Sequence, residues 1–359
     1  MAVALPVPGV LPVPAVPANE VEVGMGVEVG VQGPGTDRPA GEAEVVVAED
    51  VEGPALDDLA TRWSLVREPG AWSDSERLGQ LVGGARALVV RNRTQVNRQL
   101  LQAASCLQVV ARAGVGLDNV DVDGADDMGI VVVAAVGANA ASVAEHAVAM
   151  VLALARDLVG HDRRVRDGQW VRDPGMELAG RTWGVVGLGA TGRATASLAG
   201  ALGMAVVGHD PFMAPGPVDG VERLDDLRQL LRRADVVSLH LAASDDTRGL
   251  VDAKFLGAMR QGAVLVNVAR GELVDEAALA AALDEGTIAG AALDVRAVEP
   301  PGAGGLTGHP RVLSTPHVAG ITVAAQLRVV DMIAADVERV LAGGRAVHHV
   351  GRHSRPAGR

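Results

Sequence analysis

The sequence contains no tyrosine, only two phenylalanines and four tryptophans, and its one lysine is Lys254. Its one cysteine, Cys106, excludes an internal disulfide framework and predicts a reducing compartment. With 44 acidic against 32 basic residues, the net charge of −12 disfavours a nucleic-acid partner. The 359 residues are 48% hydrophobic, enough for one large or two medium domains.

Both ends of the chain differ in composition from its middle. Residues 1–43 are rich in Pro, Gly and Val, which predicts a disordered tail, and the absence of a basic residue before Arg38 makes them a poor signal peptide. Residues 346–359 are expected to be a second disordered tail, with histidines in solvent rather than on a metal. No apolar stretch reaches the roughly 20 residues of a membrane span. We therefore expect a cytoplasmic protein without a membrane partner.

Between these ends, short β-branched runs alternate with helix-like segments. The first series of runs is "EVVVAED", "ALVVRN", "LQVVARAG" and "GIVVVAA". The second series is "TWGVVGLG", "AVVGHD", "DVVSLHL", "AVLVNVAR", "GAALDV" and "VLSTPH". This alternation predicts α/β architecture with parallel sheets covered by helices. The long segment "ASVAEHAVAMVLALARDL" between the two series predicts a helix that packs against another domain or subunit.

Polar or charged residues end the strands of the second series. Because ligands of open α/β sheets bind beyond the carboxyl ends of the strands, these residues are expected to reach one crevice. The residues concerned are His240, Arg270, Asp294 and His317. Arg270 is the most informative, since a permanent cation directly after the buried run "VNVA" belongs in a site rather than in a core.

A glycine-rich turn follows the first strand of the second series. In "GVVGLGATGRATASLAGALGMAVVGHDP", Gly187, Gly189 and Gly192 form the G-x-G-x-x-G pattern between a strand and a helix, and a second strand ends at Asp210. This context predicts a dinucleotide site, with the pyrophosphate at the helix N-terminus and the ribose hydroxyls on Asp210. An anion at Asp210 repels a 2′-phosphate, so the expected cofactor is NAD rather than NADP.

Several stretches together resemble a known family. They are "RAGVGLDNVD", "NAASVAEHAVAMVLALAR", the glycine-rich stretch, "MRQGAVLVNVARGELVDEAAL", "GAALDVRAVEPP" and "STPHVAG". The chain resembles the D-isomer-specific 2-hydroxyacid dehydrogenases, which include phosphoglycerate dehydrogenase, over roughly residues 45–345. The resemblance implies two Rossmann/flavodoxin-like parallel-sheet domains. It places an NAD-binding domain over residues 141–317, inserted into a discontinuous substrate domain of residues 44–140 and 318–345.

The resemblance also implies catalytic roles for Arg270, Glu299 and His317. A guanidinium can pair with the substrate carboxylate and polarise the C2 oxygen. An imidazole suits proton exchange with the C2 hydroxyl near neutral pH, and a carboxylate on its other nitrogen would fix the tautomer. The implied activity is hydride transfer between NAD and a D-2-hydroxy acid, which interconverts it with its 2-oxo acid.

Further site residues follow from the same resemblance. The cofactor-binding set is expected to be Gly187, Gly189, Ala190, Thr191, Gly192, Asp210, His240, Val268, Ala269, Asp294 and Gly320. Asp294 would hold the nicotinamide carboxamide, whereas His240 either contacts the cofactor or caps its strand. The backbone amides of Val115 and Gly116 are expected to bind the substrate carboxylate. Asn139 and Ser142 are expected at the domain hinge, and Asn139 is expected to contact the substrate as well.

The chain departs from the family pattern at several positions. Thr191 stands where the glycine loop usually carries Ile or Val, and Val136 where proline is common. Arg296 replaces a typical Phe or Tyr, and Ala297 an acidic residue. None of these changes removes a proposed catalytic group, but they affect cofactor geometry and substrate choice.

Three arginines are expected near the far end of the substrate: Arg91, Arg93 and Arg112. Clustered cations repel one another unless an anion joins them, so we expect a substrate with a second anionic group. The candidates are 2-hydroxy acids of the 3-phosphoglycerate and 3-sulfolactate type. The alternative is that these arginines pair with carboxylates of the chain itself, and that the enzyme is a glyoxylate or hydroxypyruvate reductase.

Two other interpretations remain open on the sequence. The first is a non-catalytic NAD(H) sensor of the kind found among transcriptional corepressors. The second is formate dehydrogenase, which pairs its histidine with glutamine and is therefore disfavoured by Glu299. The helix over residues 139–156 resembles the element that forms the family's dimer, so we expect a homodimer.

Overall fold

The computed structural model describes residues 43–213 and 216–352. The first expected tail, apart from Ala43, lies outside these residues, as do residues 353–359 of the second. The described strands, in chain order, are β1 (Val45–Val47), β2 (Leu65–Arg67), β3 (Ala87–Val90), β4 (Val109–Arg112), β5 (Val131–Ala134), β6 (Thr182–Val186), β7 (Ala205–His209), β8 (Glu222–Arg223), β9 (Val236–Leu239), β10 (Val264–Asn267), β11 (Gly290–Leu293), β12 (Val312–Ser314) and β13 (His349–Val350).

Most helices begin where an Asp, Asn or Thr side chain accepts hydrogen bonds from amides of the first turn. The helices are α1 (Pro54–Ala60), α2 (Ser75–Val82), α3 (Arg98–Ala103), α4 (Val122–Asp127), α5 (Ala140–Ala155), α6 (Leu158–Arg166), α7 (Ala190–Ala201), α8 (Leu227–Arg233), α9 (Ala253–Ala258), α10 (Glu276–Asp284) and α11 (Val323–Leu341). Both α5 and α7 begin without a side-chain cap. Their first amides therefore have no side-chain partner.

The strands form two sheets. The first has the order β13-β5-β4-β3-β1-β2, and all of its strands run parallel except β13. The second has the order β12-β11-β10-β9-β6-β7-β8 and is entirely parallel. The strand order reverses between β1 and β3, and again between β6 and β9. Such reversals open a crevice beyond the carboxyl ends of the strands, which is where ligands of doubly wound sheets bind.

Helices cover both faces of each sheet. One face of the first sheet packs against α1 and α11, and the other against α2, α3 and α4. One face of the second sheet packs against α5 and α7, and the other against α8, α9 and α10. The continuous valine-rich runs of the strands fit this burial on two faces. The fold class predicted from the sequence is confirmed.

The chain crosses between the sheets twice. It leaves the first sheet after β5, and α5 packs on the second sheet. It returns after β12, where α11 packs on the first sheet. The second sheet is thus inserted into the chain of the first, while the boundaries predicted at residues 140–141 and 317–318 stay predictions.

The expected second tail is partly wrong, because residues 346–352 are structured. β13 pairs antiparallel with β5, His349 with Val133 and Val350 with Val132. The segment is held by Asp336, a fully buried residue of α11. Its carboxylate accepts hydrogen bonds from the Val347 amide, the His348 amide and the His348 imidazole at 2.8–2.9 Å.

Asp336 also makes the stability of this region dependent on pH. Burial raises the pKa of Asp336, but the Val347 and His348 amides, Arg339 and the His348 imidazole outweigh burial and lower it. The stabilisation by a carboxyl group with a lowered pKa is complete above its unfolded value of about 3.9 and is lost as the pH falls through the folded value.

None of the helices in residues 43–213 and 216–352 combines the length and the apolar character needed to cross a bilayer.

We predict that Asp336→Asn lowers the free energy of unfolding by about 2–3 kcal/mol at pH 7, because an amide nitrogen would face the buried donors. Chemical denaturation followed by circular dichroism measures this loss. The loss should shrink as the pH falls from about 4, the unfolded-state value, toward the lower folded-state pKa at which Asp336 of the parent protein becomes protonated. Asp331→Asn, at an exposed position of the same helix, is the matched control. Equal stability of the two variants at pH 7 would contradict the assignment.

Candidate active site

The glycine-rich loop follows β6 and is shaped by contacts that exclude side chains. Gly187 has a φ of +94°, and a Cβ there would lie 2.6 Å from the His240 carbonyl oxygen. A Cβ on Gly192 would lie 1.9 Å from the Gly187 carbonyl oxygen. Gly189, by contrast, has no atom within 4 Å of its Cβ direction. The loop is therefore closely packed at Gly187 and Gly192 and open at Gly189, where a phosphate would approach it.

The same loop provides donors for an anion. α7 begins after Gly189 without a side-chain cap, so the partial positive charge of its N-terminus is available. The Asp210 carboxylate accepts hydrogen bonds from the Leu188 amide at 2.9 Å and the Phe212 amide at 3.0 Å. Asp210 thus ties the end of β7 to the glycine loop and keeps spare acceptor capacity for sugar hydroxyls. These features fit a dinucleotide.

His240 lies beneath this loop at the end of β9. Its Nε2 is 3.0 Å from Ser238 Oγ, which accepts a hydrogen bond from Trp183 Nε1 at 2.8 Å. Burial lowers the pKa of His240 to about 3, so the imidazole is neutral at physiological pH. Its buried Nδ1 has no hydrogen-bond partner among the described residues. An unsatisfied nitrogen at this place fits a contact with the cofactor, although the bond to Ser238 also fits a structural role.

Arg270 stands on the turn that follows β10. The buried Asn267 fixes this turn, because its side chain donates to the Arg270 carbonyl at 2.8 Å and accepts from the Ala269 amide at 3.1 Å. Arg270 Nη1 donates to the Ala269 carbonyl at 2.7 Å. The sequence analysis missed Asn267, although a polar residue at the end of a buried valine run was a visible signal.

The Arg270 side chain reaches across to the first sheet. Its Nη2 lies 3.3 Å from Asp118 Oδ2, and a Cβ on Gly116 would lie 2.2 Å from the same nitrogen. Asp118 is exposed, so this ion pair contributes little, of order 0–1 kcal/mol. A carboxylate of a ligand can therefore replace Asp118 at low cost.

The turn opposite Arg270 offers backbone donors. Within the described part of the chain, the amides of Val115 and Gly116 make no hydrogen bond. Because Gly116 has no side chain, the guanidinium and these amides can face the same small space. The predicted carboxylate grip of Val115, Gly116 and Arg270 is thus sterically possible.

His317 and Glu299 form a hydrogen-bonded pair. His317 Nδ1 lies 2.8 Å from Glu299 Oε2, and both side chains are partly exposed. His317 has a φ of +56°, a left-handed backbone conformation that is uncommon outside glycine and is found at functional sites. Since Nδ1 faces the carboxylate, Nε2 is the nitrogen left for a substrate.

Asp294, the predicted partner of the nicotinamide carboxamide, is held by several donors of its own chain. Its carboxylate is only 1% exposed and accepts hydrogen bonds from the Val318 and Ala319 amides at 2.9 Å and from the Thr315 hydroxyl. Through these bonds Asp294 holds the loop that carries His317, while its contact with the nicotinamide carboxamide stays a prediction.

Asp294 stays ionised over the physiological range. Burial raises the pKa of Asp294, but hydrogen bonds from His146, Thr315, Ala319 and Val318 outweigh burial and lower it to about 2. His146 of α5, which the sequence analysis did not single out, lies 3.0 Å from Thr315 Oγ1 and 3.5 Å from the Asp294 carboxylate. A histidine on the buried face of the long helix was the available signal.

Arg112 is a partly buried cation at the end of β4. Among the described residues no carboxylate lies within ion-pair distance of it, and its Nε has no hydrogen-bond partner. Burial, followed by the nearby Arg270, lowers the pKa of Arg112 to about 10, and Arg91 acts in the same direction. Asp118 and Glu49 offset only part of this effect. The structure thus brings three cations, Arg91, Arg112 and Arg270, close together.

Arg93, the third arginine predicted near the substrate, makes an aromatic contact. Its guanidinium lies over the ring of Trp72, 4.9 Å from the centroid, in a cation–π contact. The loop that carries Arg91 and Arg93 is organised by Glu49, whose buried carboxylate accepts four amide hydrogen bonds from residues 91–94 at 2.8–3.2 Å. Burial raises the pKa of Glu49, but these amides outweigh burial and lower it. The sequence analysis missed Glu49.

The predicted hinge residues lie where the chain crosses between the sheets. Ser142 Oγ is 2.8 Å from Thr322 Oγ1, so the first turns of α5 and α11 are linked. A Cβ on Gly320 would lie 2.5 Å from Asn139 Nδ2, and the buried Asn139 Oδ1 has no partner among the described residues. These contacts suit a hinge that closes a cleft, and the predicted contact of Gly320 with the cofactor stays a prediction.

The remaining predicted cofactor residues lie on the two loops already described. Ala190 and Thr191 lie in the first turn of α7. Ala190 lies near Gly137, which belongs to the loop between β5 and α5. Val268 and Ala269 belong to the turn that carries Arg270, and both are buried. Their positions at strand ends are compatible with the predicted role and do not test it.

Comparisons with known proteins agree with this architecture. A family model described as "D-isomer specific 2-hydroxyacid dehydrogenase, NAD binding domain" matches residues 148–319. A solved glyoxylate reductase from Paecilomyes thermophila has a TM-score of 0.80 and 27% identity, covering 86% of this chain and 98% of the other.

Two curated relatives are 40% identical to this chain. One is D-3-phosphoglycerate dehydrogenase of Archaeoglobus fulgidus, aligned over 304 residues, 84% of this chain and 58% of the relative. The other is (S)-sulfolactate dehydrogenase of Chromohalobacter salexigens, aligned over 307 residues, 83% of this chain and 98% of the relative. The chain thus spans little more than half of the first relative and nearly all of the second. Given these matches and the two-sheet fold, the chain belongs to the D-isomer-specific 2-hydroxyacid dehydrogenase family.

Proposed function

We propose that the protein is an NAD-dependent oxidoreductase that interconverts a 2-hydroxy acid and its 2-oxo acid. The observation that carries this proposal is the His317–Glu299 pair, which lies at a strand end of the same sheet as Arg270 and the glycine-rich loop. A proton-exchanging group, a carboxylate-binding cation and a dinucleotide loop on one crevice are the parts that such a reaction needs.

The glycine-rich loop would hold the dinucleotide. The amides at the start of α7, which have no side-chain cap, would bind its pyrophosphate, and the Asp210 carboxylate would accept hydrogen bonds from the ribose hydroxyls. A negative Asp210 disfavours a 2′-phosphate, which supports NAD over NADP. When bound, the nicotinamide supplies or accepts the hydride at C2 of the substrate.

The proton moves through His317. With Nδ1–H donated to Glu299, the Nε2 lone pair can take the proton of the C2 hydroxyl during oxidation. The adjacent Glu299 carboxylate stabilises the imidazolium that forms. In reduction the imidazolium returns the proton to the keto oxygen. Asp294 contributes by holding the Val318 and Ala319 amides, which keeps the imidazole in place.

Arg270 would bind the substrate carboxylate and polarise the C2 oxygen. Its planar group offers several N–H donors, and its contact with the exposed Asp118 is weak enough to exchange for the substrate. The unpaired amides of Val115 and Gly116 would bind the other side of the same carboxylate.

The partly buried Arg112 supports a substrate with a second anionic group. A buried cation without a carboxylate partner is unfavourable, and Arg270 and Arg91 add repulsion. A phosphate or sulfonate on C3 of the substrate would relieve both effects. Two curated relatives are named for substrates of this kind, 3-phosphoglycerate and sulfolactate. A plain acid such as glyoxylate, after which a similar structure is named, is the second candidate.

An exposed apolar surface supports a homodimer. Leu158, Val159 and Val165 of α6 are exposed, and Trp170 and Val171 follow them, with Trp170 81% exposed. Apolar surfaces of this kind usually lie at protein–protein contacts. A second copy can cover this surface with its own equivalent about a twofold axis.

The single cysteine supports the cytoplasm as the location of the protein.

We predict that His317→Gln lowers kcat by about 10²- to 10³-fold, because the C2 proton loses its acceptor. Initial rates with NADH and phosphohydroxypyruvate, sulfopyruvate, hydroxypyruvate and glyoxylate measure this loss. NADH binding, followed by fluorescence, should be unchanged. His309→Gln, whose imidazole contacts Asp284, is the matched control. No turnover of any of these acids by the parent protein would favour the non-catalytic NAD(H) sensor instead.

We predict that Arg112→Gln lowers kcat/KM for phosphohydroxypyruvate or sulfopyruvate by about 100-fold, as expected for a buried charge pair of roughly 3 kcal/mol. The value for glyoxylate should change far less, since glyoxylate has no second anion to lose. Arg93→Gln is the matched comparison, because its side chain stacks on Trp72. Equal losses for both substrate classes in Arg112→Gln would remove the second anionic group from the proposal.

We predict that Trp170→Glu converts a dimer into a monomer, because a charge in a buried apolar contact is costly. Light scattering coupled to size exclusion should give twice the chain mass for the parent protein. Val347→Glu, which places the same charge at an exposed apolar residue of a different segment, should leave the mass unchanged. A parent protein that runs as a monomer would refute the homodimer.

A further inference from the structure

Arg296 stands where the family usually has an aromatic residue, and its side chain is only 8% exposed. Its guanidinium makes two parallel hydrogen bonds to one carboxylate, Nε to Glu276 Oε1 at 2.9 Å and Nη2 to Glu276 Oε2 at 2.7 Å. Nη1 donates to Thr307 Oγ1 at 3.1 Å. This fork-to-fork geometry restricts both side chains to one arrangement.

The pair ties the Glu299 loop to α10. Glu276 is the first residue of α10, where the helix N-terminus favours an acid, and its Oε1 also accepts from the Ala297 amide at 3.0 Å. The Arg296 amide donates to Glu299 Oε1 at 3.1 Å. Glu299 Oε2 faces His317 Nδ1 at 2.8 Å. An unbroken series of contacts therefore runs from Glu276 to the imidazole.

The same loop also packs against the Arg270 turn. A Cβ on Gly271 would lie 2.0 Å from the carbonyl carbon and oxygen of Arg296, so the backbone of Arg296 rests directly on the residue after Arg270. The ion pair is thus connected through the Arg296 backbone to the segments that carry two proposed catalytic groups, Glu299 and Arg270.

We propose that Glu276 and Arg296 are positioning residues, whose ion pair sets the place of the Glu299 carboxylate and thereby the orientation and tautomer of His317. The inference rests on the proposed function for its kinetic consequence, but the orientation of the imidazole is a property of the protein alone. Without the pair, the Glu299 loop loses its attachment to α10. The proton on His317 is then shared between both nitrogens, as in a free imidazole.

The test uses nuclear magnetic resonance of the full chain labelled with ¹⁵N-histidine, at a pH where imidazoles are neutral. His317→Gln assigns the His317 signals. The parent protein should carry the His317 proton on Nδ1. In Glu276→Gln and in Arg296→Gln, the signals should move toward the tautomer mixture of free histidine. Because the two residues act as a unit, the double variant should show no larger change than either single one.

The kinetic arm measures the consequence with the preferred 2-oxo acid. In both single variants kcat/KM should fall about tenfold, the size expected for a misplaced proton-exchanging group, while KM for NADH is unchanged. Glu222→Gln is the matched control, because Glu222 and Arg233 form a similar two-bond pair, at 2.6 and 2.7 Å, elsewhere in the same sheet. If either Gln variant fails to fold, Arg296→Lys keeps the charge and should give an intermediate change.

The outcomes separate the two proposals. An active parent protein whose His317 tautomer is the same in Glu276→Gln and Arg296→Gln would overturn the positioning role and leave the dehydrogenase intact. An equal change in Glu222→Gln would also overturn it. A parent protein without turnover of any 2-oxo acid would refute the enzymatic function, and the tautomer measurement would still decide the role of the pair.

Discussion

The buried carboxylate of Asp294 is the constraint on which the candidate site depends. It lies at the end of β11 and accepts hydrogen bonds from the loop that follows β12, so one ionised group connects the ends of two neighbouring strands. His317 is held on this loop in a backbone conformation that costs free energy, and only a strongly bonded loop keeps such a conformation. The orientation of the imidazole therefore depends both on the Asp294 carboxylate, which holds the loop backbone, and on Glu299, which contacts the ring.

Charge is distributed unevenly around this site. On the second sheet, carboxylates are paired with the groups they hold, as Glu276 is with Arg296 and Glu299 with His317. On the side of the first sheet, Arg112 has no such partner and lies near Arg270. The free protein thus has a surplus of positive charge where a small anion would enter. That surplus attracts acids electrostatically before any specific contact is made.

Much of the architecture could be predicted from the sequence, because its signals are local. Valine-rich runs bounded by polar residues predicted ten of the thirteen described strands, all except the short β2, β8 and β13, and the glycine spacing predicted the turn after β6. The resemblance to the family supplied the order of the domains. The placement of four polar residues at or just beyond strand ends followed from the geometry of parallel sheets, while their catalytic and binding roles stay predictions. These residues are His240, Arg270, Asp294 and His317.

The features that could not be predicted depend on residues distant in the sequence. Arg93 turns toward Trp72, 21 positions earlier in the numbering, and nothing in the run "VVRNRTQV" specifies that direction. Asp294 is used by its own chain because Thr315 and the amides after it reach back to β11. In each case the partner of the side chain is the donor or ring that lies within reach once the sheets have formed. The sequence pattern around the residue does not specify which group that is.

The small strand β13 has a consequence for the first sheet as a whole. By pairing with β5 it covers an edge of the sheet whose backbone groups would otherwise be open to another strand. Hydrogen bonds of Val347 and His348 with Asp336 attach this strand to α11, and ion pairs of Arg352 with Asp123 and Asp127 attach it to α4. A shortened chain that stopped at residue 345 would expose this edge to strand addition, and it would leave the buried Asp336 carboxylate without the Val347 and His348 donors. Loss of the strand would therefore combine a greater tendency to associate with a lower stability.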